Sequence, residues 1–76
     1  MLFPVFDGDD PKFWQKRCED YFSTYSVDSS VWLKVAPMHC QGPARRWVQS
    51  IESQLAKLSW SGFCNLLLMH FAKDQY

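Results

Sequence analysis

Met38-His39-Cys40-Gln41-Gly42-Pro43-Ala44-Arg45-Arg46-Trp47-Val48 is the stretch on which the fold turns. Gly42 followed at once by Pro43 ends one helix and opens another. Glycine takes a positive φ without steric penalty just past a helix end. Proline suits the first helical position, where the N–H it lacks would go unpaired anyway. The pair predicts two helices meeting at a sharp corner with no room for a loop. Trp47 follows one turn later and is expected at the centre of the fold.

Upstream of the corner, Leu2-Phe3-Pro4-Val5-Phe6 is apolar and interrupted by proline, so it reads as extended. Asp7-Gly8-Asp9 reads as a turn. Asp10 as N-cap and Pro11 at the first helical position start a helix that runs to about Tyr25. Trp14, Cys18, Tyr21, Phe22 and Tyr25 fall within about 100° of its wheel, the width of a core-facing stripe. Phe13 lies off the stripe and is placed to cover the N-terminal segment. Val27-Asp28-Ser29 breaks the period, and Asp28 or Ser29 can cap a second helix over roughly Ser30 to Cys40. Pro37 inside that helix predicts a kink or an early end near Ala36.

Downstream, a third helix is expected from Pro43 to about Ser53, with Ala44, Trp47, Val48 and Ile51 as its stripe. A short connection leads through Lys57. Ser59 caps a fourth helix that ends near Phe71. Trp60, Phe63, Cys64, Leu67 and Phe71 form one face of it. Leu66, Leu68 and Met69 lie off that face, so the helix is apolar over most of its circumference and must be central or covered by a partner. Residues 72–76 are expected to fray. The fold class is all-α: a small four-helix bundle after an extended N-terminal segment, in one domain over 1–76 (segment 1–9, helical core 10–71, tail 72–76). The core is expected to hold Cys18, Phe22, Trp47, Ile51, Phe63, Leu67 and Phe71.

Composition narrows the function. A chain of 76 residues buries only about 60% of its unfolded surface. Four Trp and six Phe offset that small core. Lys and Arg balance Asp and Glu, which argues against a nucleic-acid surface. The charge is uneven: residues 1–30 are acidic on balance and residues 31–76 basic, a polarity able to steer copies head to tail or to do no more than solvate separate faces. Three widely spaced cysteines fit no disulfide framework and indicate a reducing compartment. No apolar run approaches the ~20 residues of a membrane span, and Met1-Leu2-Phe3-Pro4 is too short for a signal peptide. A cytoplasmic protein is expected, without membrane contact.

Catalytic patterns are lacking. His39, His70 and the cysteines show no Cys-x₂₋₄-Cys pair for zinc. No orienting acid or oxyanion hole accompanies a Cys–His pair, and no Gly-rich phosphate loop occurs. The cysteines read as small buried apolar groups, and His70 as a helix-end residue. No cofactor, metal or enzymatic activity is expected.

The ordered set Phe3-Pro4-x-Phe6-x-Gly8, Asp10-Pro11-x-x-Trp14, Cys18-Glu19-x-Tyr21-Phe22, His39-x-x-Gly42-x-Ala44-x-x-Trp47 and Leu58-Ser59-Trp60-x-x-Phe63, ending in Phe71, resembles the N-terminal capsid lobe of Gag from gypsy-type LTR retrotransposons. Trp32-Leu33, His39 and Gly42-Pro43-Ala44 through Trp47 resemble the Arc-like N-lobe domesticated from such an element. The resemblance spans Phe3 to Phe71. It implies a protein–protein interaction module acting in self-association or capsid assembly, with other copies or Gag-like chains as partners. The Arc-like case implies, as the alternative, an adaptor holding short host peptides in a hydrophobic groove. Groove positions then fall on Trp14, Tyr21, His39 and Gln41, beside the extended Phe3, Val5 and Phe6. Trp14 and Tyr21 also lie on the core-facing stripe, so packing and binding readings stand side by side for them, as a plain structural role does for His39. Trp32, Leu68 and Met69 are the expected assembly surface.

Departures from the family pattern are Pro37 in the second helix, and Gly62 and Met69 where charged residues are usual. These 76 residues hold no counterpart of the C-terminal capsid lobe or of the Cys-x₂-Cys-x₄-His-x₄-Cys knuckle that handles RNA. They are expected to be a domesticated remnant or an excised piece, not a complete Gag.

Overall fold

The structure, a computed structural model, describes residues 2–72. Lys73 to Tyr76 of the expected fraying tail lie outside the described residues. The element order is α1 (Pro11–Thr24), α2 (Ser29–Val35), a 3₁₀ turn (Ala36–His39), α3 (Pro43–Ser50), α4 (Glu52–Leu55) and α5 (Trp60–Phe71). The fold is all-α.

Side chains start three of these helices. The Asp10 carboxylate accepts the Phe13 N–H at 3.3 Å, Asp28 accepts the Ser30 N–H at 3.1 Å, and the Ser59 hydroxyl oxygen accepts the Gly62 N–H at 3.1 Å. Each satisfies a backbone donor that a helix start leaves without a partner.

Three boundaries bear on the sequence expectation. First, α2 ends at Val35, the early end that Pro37 predicts near Ala36, and Pro37 lies near the start of the 3₁₀ turn, where its missing N–H costs no bond. The second helix therefore never reaches Cys40. Cys40 is extended, at φ −94° and ψ 145°, and the corner has a short arm before Gly42. Second, Gly42 takes the positive φ expected of it, at φ 59° and ψ −135°, with nothing within 4 Å of where a Cβ would stand. Its demand for glycine is conformational, not steric. Third, the expected third helix is two. The Ser50 hydroxyl donates to the Trp47 carbonyl at 2.6 Å, and the Ile51 N–H is shared between the Trp47 and Val48 carbonyls. A serine that competes for a helical carbonyl loosens the ladder. Ile51 leaves the helix at φ −111° and ψ 11°, and the one-turn α4 restarts behind it. That makes five helices where four were expected.

The core is led by Phe6, Phe22, Phe63 and Leu67, packed with Trp14, Cys18, Cys40, Cys64, Ala36, Ala44 and Val48. Trp47 is not at the centre. It is half-buried, as are Ile51 and Phe71, which pack against the core from its rim. The reason lies one turn earlier: Ala44 and Val48 face inward, and Ala44 is small enough to bring the α3 backbone close. Trp47 then points along the flank, against Phe63, His70 and Phe71 at ring distances of 5.5–5.8 Å. Tyr25 follows the last turn of α1 and is exposed, off the stripe assigned to it. Among the described residues, no buried side-chain nitrogen or oxygen lacks a hydrogen bond.

Domain stability of roughly 4–11 kcal/mol is expected at this length. Phe63→Ala removes a fully buried ring and should cost ~3–5 kcal/mol, abolishing most of the thermal transition. Trp47→Ala, at the rim, should cost about 2 kcal/mol and leave a cooperative melt at lower temperature. Circular dichroism melts of the two variants check the ranking, and the reverse order would contradict this placement of the core.

Candidate functional site

The N-terminal segment and the corner come together. Phe6 forms a parallel bridge with Cys40. The Phe6 N–H donates to the His39 carbonyl at 3.0 Å, and the Gln41 N–H donates to the Phe6 carbonyl at 2.8 Å. The short extended arm that replaced the end of the second helix is thus the pairing edge for the segment. Two residues back, the Trp14 indole Nε1–H donates to the Pro4 carbonyl at 3.0 Å.

The rings fill the space between. Phe3 stacks on His39 at 4.4 Å and meets Tyr21 edge-on at 4.9 Å, with Phe22 at 5.4 Å. Phe6 stacks on Trp14 at 4.9 Å and presents its edge to Phe71 at 5.1 Å. Offset and edge-on ring pairs add about 0.5–1.5 kcal/mol each beyond the area they bury.

Phe3, Phe6, Trp14, Tyr21, His39 and Gln41 are therefore one constellation, but not an open groove. Phe6 and Trp14 are buried, at 1% and 3% exposure, so neither is a free wall for an incoming chain. Gln41 contributes its backbone N–H, while its side chain lies in an exposed residue. Val5 faces outward at 56% exposure. The Pro4 carbonyl, Phe22 and Phe71 belong to this site and were missed as site residues. The Phe3–Pro4–x–Phe6 spacing was the available signal for the segment, because three residues make one turn of a proline-favoured extended chain and return a side chain to the same side.

The expected assembly residues do not form one surface. Trp32 is half-buried, stacked on Phe22 at 4.8 Å, and its indole N–H donates to the Val27 carbonyl at 2.9 Å. That packing role replaces the exposed one. Leu68 is half-buried in a groove with Pro11, Phe71 and the Asp9–Asp10 turn. Met69 stands 80% exposed beside Trp47, Ile51 and Leu66.

The family model described as Retrotransposon-derived protein PEG10, N-terminal capsid-like domain, matches residues 1–72. The chain belongs to this family. The comparisons with curated proteins and with solved structures returned no match.

In this capsid-like domain the remaining polar chemistry serves packing. The Glu19 carboxylate accepts the Trp60 indole N–H at 2.9 Å and the Gln15 amide at 3.1 Å, which ties α5 to α1. Cys18, Cys40 and Cys64 are free thiols inside the core. Burial raises all three, with Cys40 pushed up to about 11 and Cys64 to about 12. At neutral pH they are protonated and poor nucleophiles. Among the described residues, no group of three or more His, Cys, Asp or Glu side chains is placed to hold a metal ion.

The thiols set an alkaline limit. Unfolded cysteine loses its proton near pH 9.0, before the native thiols do. The native state then binds more protons than the unfolded one, so stability falls as pH rises. The melting temperature should hold up to about pH 9 and decline towards pH 11, the range of the Cys40 shift. Cys64→Ala should flatten part of that decline. A profile that ignores the substitution would show the thiols are not its cause.

Proposed function

We propose that this capsid-like domain acts through association with other polypeptides, joining copies of itself or Gag-like chains in a shell-type assembly, and not through catalysis. The observation that carries this is apolar surface without an internal use: Met69 lies 80% exposed beside Trp47, Ile51 and Leu66, on a helix whose inward residues Phe63, Cys64 and Leu67 are buried. Exposed apolar patches rimmed by polar groups mark protein contacts. The acidic first part and the basic remainder of the chain favour head-to-tail encounter over like-faced encounter. The balanced net charge does not favour direct contact with nucleic acid. No described helix is long and apolar enough to cross a membrane, and three free thiols suit the reducing cytoplasm.

Light scattering across a rising concentration series should show the mean mass increasing. Met69→Lys should lower it towards the monomer with an unchanged melting temperature. A strict monomer that is also left out of shells formed by intact Gag-like chains would end this reading.

A second reading is favoured by the aromatic site around Phe3. There the domain is an Arc-like adaptor for short host peptides, with Tyr21 and His39 as contacts. Short aromatic peptides from other proteins should shift the amide resonances of those two residues, and silence across a broad panel would remove it.

A further inference from the structure

We propose that residues 2–6 are an intramolecular ligand: an extended Phe-Pro-x-Phe segment occupying a peptide site whose walls stand without it. This deepens the adaptor reading and rests on it only in treating the groove as a binding site.

Three of the walls, Phe22, Tyr21 and Phe71, have supports of their own. Phe22 stacks on Trp32 at 4.8 Å and meets Trp60 at 5.8 Å. Tyr21 leans on Tyr25 at 4.8 Å, and Phe71 on Trp47 at 5.5 Å. Behind the pairing edge, the Cys40 N–H closes the 3₁₀ turn on the Pro37 carbonyl at 3.4 Å. None of these contacts involves the segment.

The segment is held as a bound peptide is held. Its sheet pairing is a single bridge at Phe6–Cys40, which no second bridge extends among the described residues. Recognition is by position. The first Phe enters the slot between His39 and Tyr21. The proline carbonyl accepts the Trp14 indole N–H. The second Phe is taken through both backbone groups and its buried ring. Val5, between them, faces water, so that position is unread. Backbone bonds give affinity and side-chain pockets give specificity in strand-addition peptide sites, and both elements are present here, with the pockets three residues apart. Proline lacks an N–H to desolvate and pre-sets the extended backbone, which lowers the entropic cost of binding.

The link to the body is a tight turn. Gly8 and Asp10 hold φ 108° and 52°, and the Asp9 N–H donates to the Asp7 side chain at 3.0 Å. A short tether keeps the segment at an effective concentration on the order of millimolar, which any competitor must exceed.

The test uses the full chain with a protease recognition sequence inserted between Asp7 and Asp10, and a fluorescent peptide of residues 1–7 as probe. The probe should bind the cut chain at least ~100-fold tighter than the uncut one, since cutting removes the tether. Phe6→Ala in the probe should abolish binding. In the uncut chain Phe3→Ala, whose ring is only half-buried, should leave the fold intact and admit the probe at least ~10-fold more readily, by vacating one of the two ring pockets. Equal binding to cut and uncut chains would overturn the proposal. So would loss of helical signal on cutting that added peptide does not restore, which would make the segment part of the folding core. Binding of this probe while every foreign peptide stays silent would keep the inference and remove the host-adaptor reading. The opposite result would do the reverse.

Discussion

An indole withdrawn wholly or partly from water is best placed where its N–H finds an acceptor, and the acceptors chosen here decide which segments are joined. Trp14 donates to the Pro4 carbonyl and fastens the N-terminal segment to α1. Trp32 donates to the Val27 carbonyl and closes α2 back onto the end of α1. Trp60 donates to Glu19 and locks α5 across the same helix. An unpaired N–H inside a core costs about 1–3 kcal/mol, a large share of the stability of so small a domain. The rings therefore settle where both their apolar faces and their one donor are satisfied. Trp47, half-buried as Trp32 and Trp60 are, has no such acceptor among the described residues.

From that constraint two further features of the structure follow. Holding α5 against α1 through Trp60 and Glu19 buries Phe63, Cys64 and Leu67 and leaves Met69 facing out. Holding the segment against α1 through Trp14 brings Phe3 to His39 and Phe6 to Cys40. One helix, α1, thus organises both the site that is filled by the chain itself and the face that is left uncovered.

Much of this was legible in the residues. Asp10-Pro11, Asp28 and Ser59 announce helix starts because their side chains and the missing proline N–H act locally, within a turn. Cys18, Phe22, Phe63 and Leu67 lie on stripes of helical period and are buried in the structure. The errors have local causes of a kind periodicity does not report. The Ser50 hydroxyl diverts one carbonyl and splits a helix that reads as continuous. Ala44 seats α3 and turns the larger Trp47 aside. Trp32 reads as surface until its N–H is seen bonded to Val27.

By itself the sequence determined the helical class, the capping points, the corner at Gly42-Pro43 and the membership in a capsid-like family, because each depends on interactions between near neighbours or on an ordered pattern of residue types. Only the tertiary structure decided that the Phe3–Phe6 segment lies back on its own domain, that Cys40 is a pairing edge and not a helical residue, and that Met69 rather than Trp32 is the exposed side chain. Those outcomes rest on contacts between residues tens of positions apart, where the competition among rings for a few buried places is settled by shape and by the supply of hydrogen-bond acceptors.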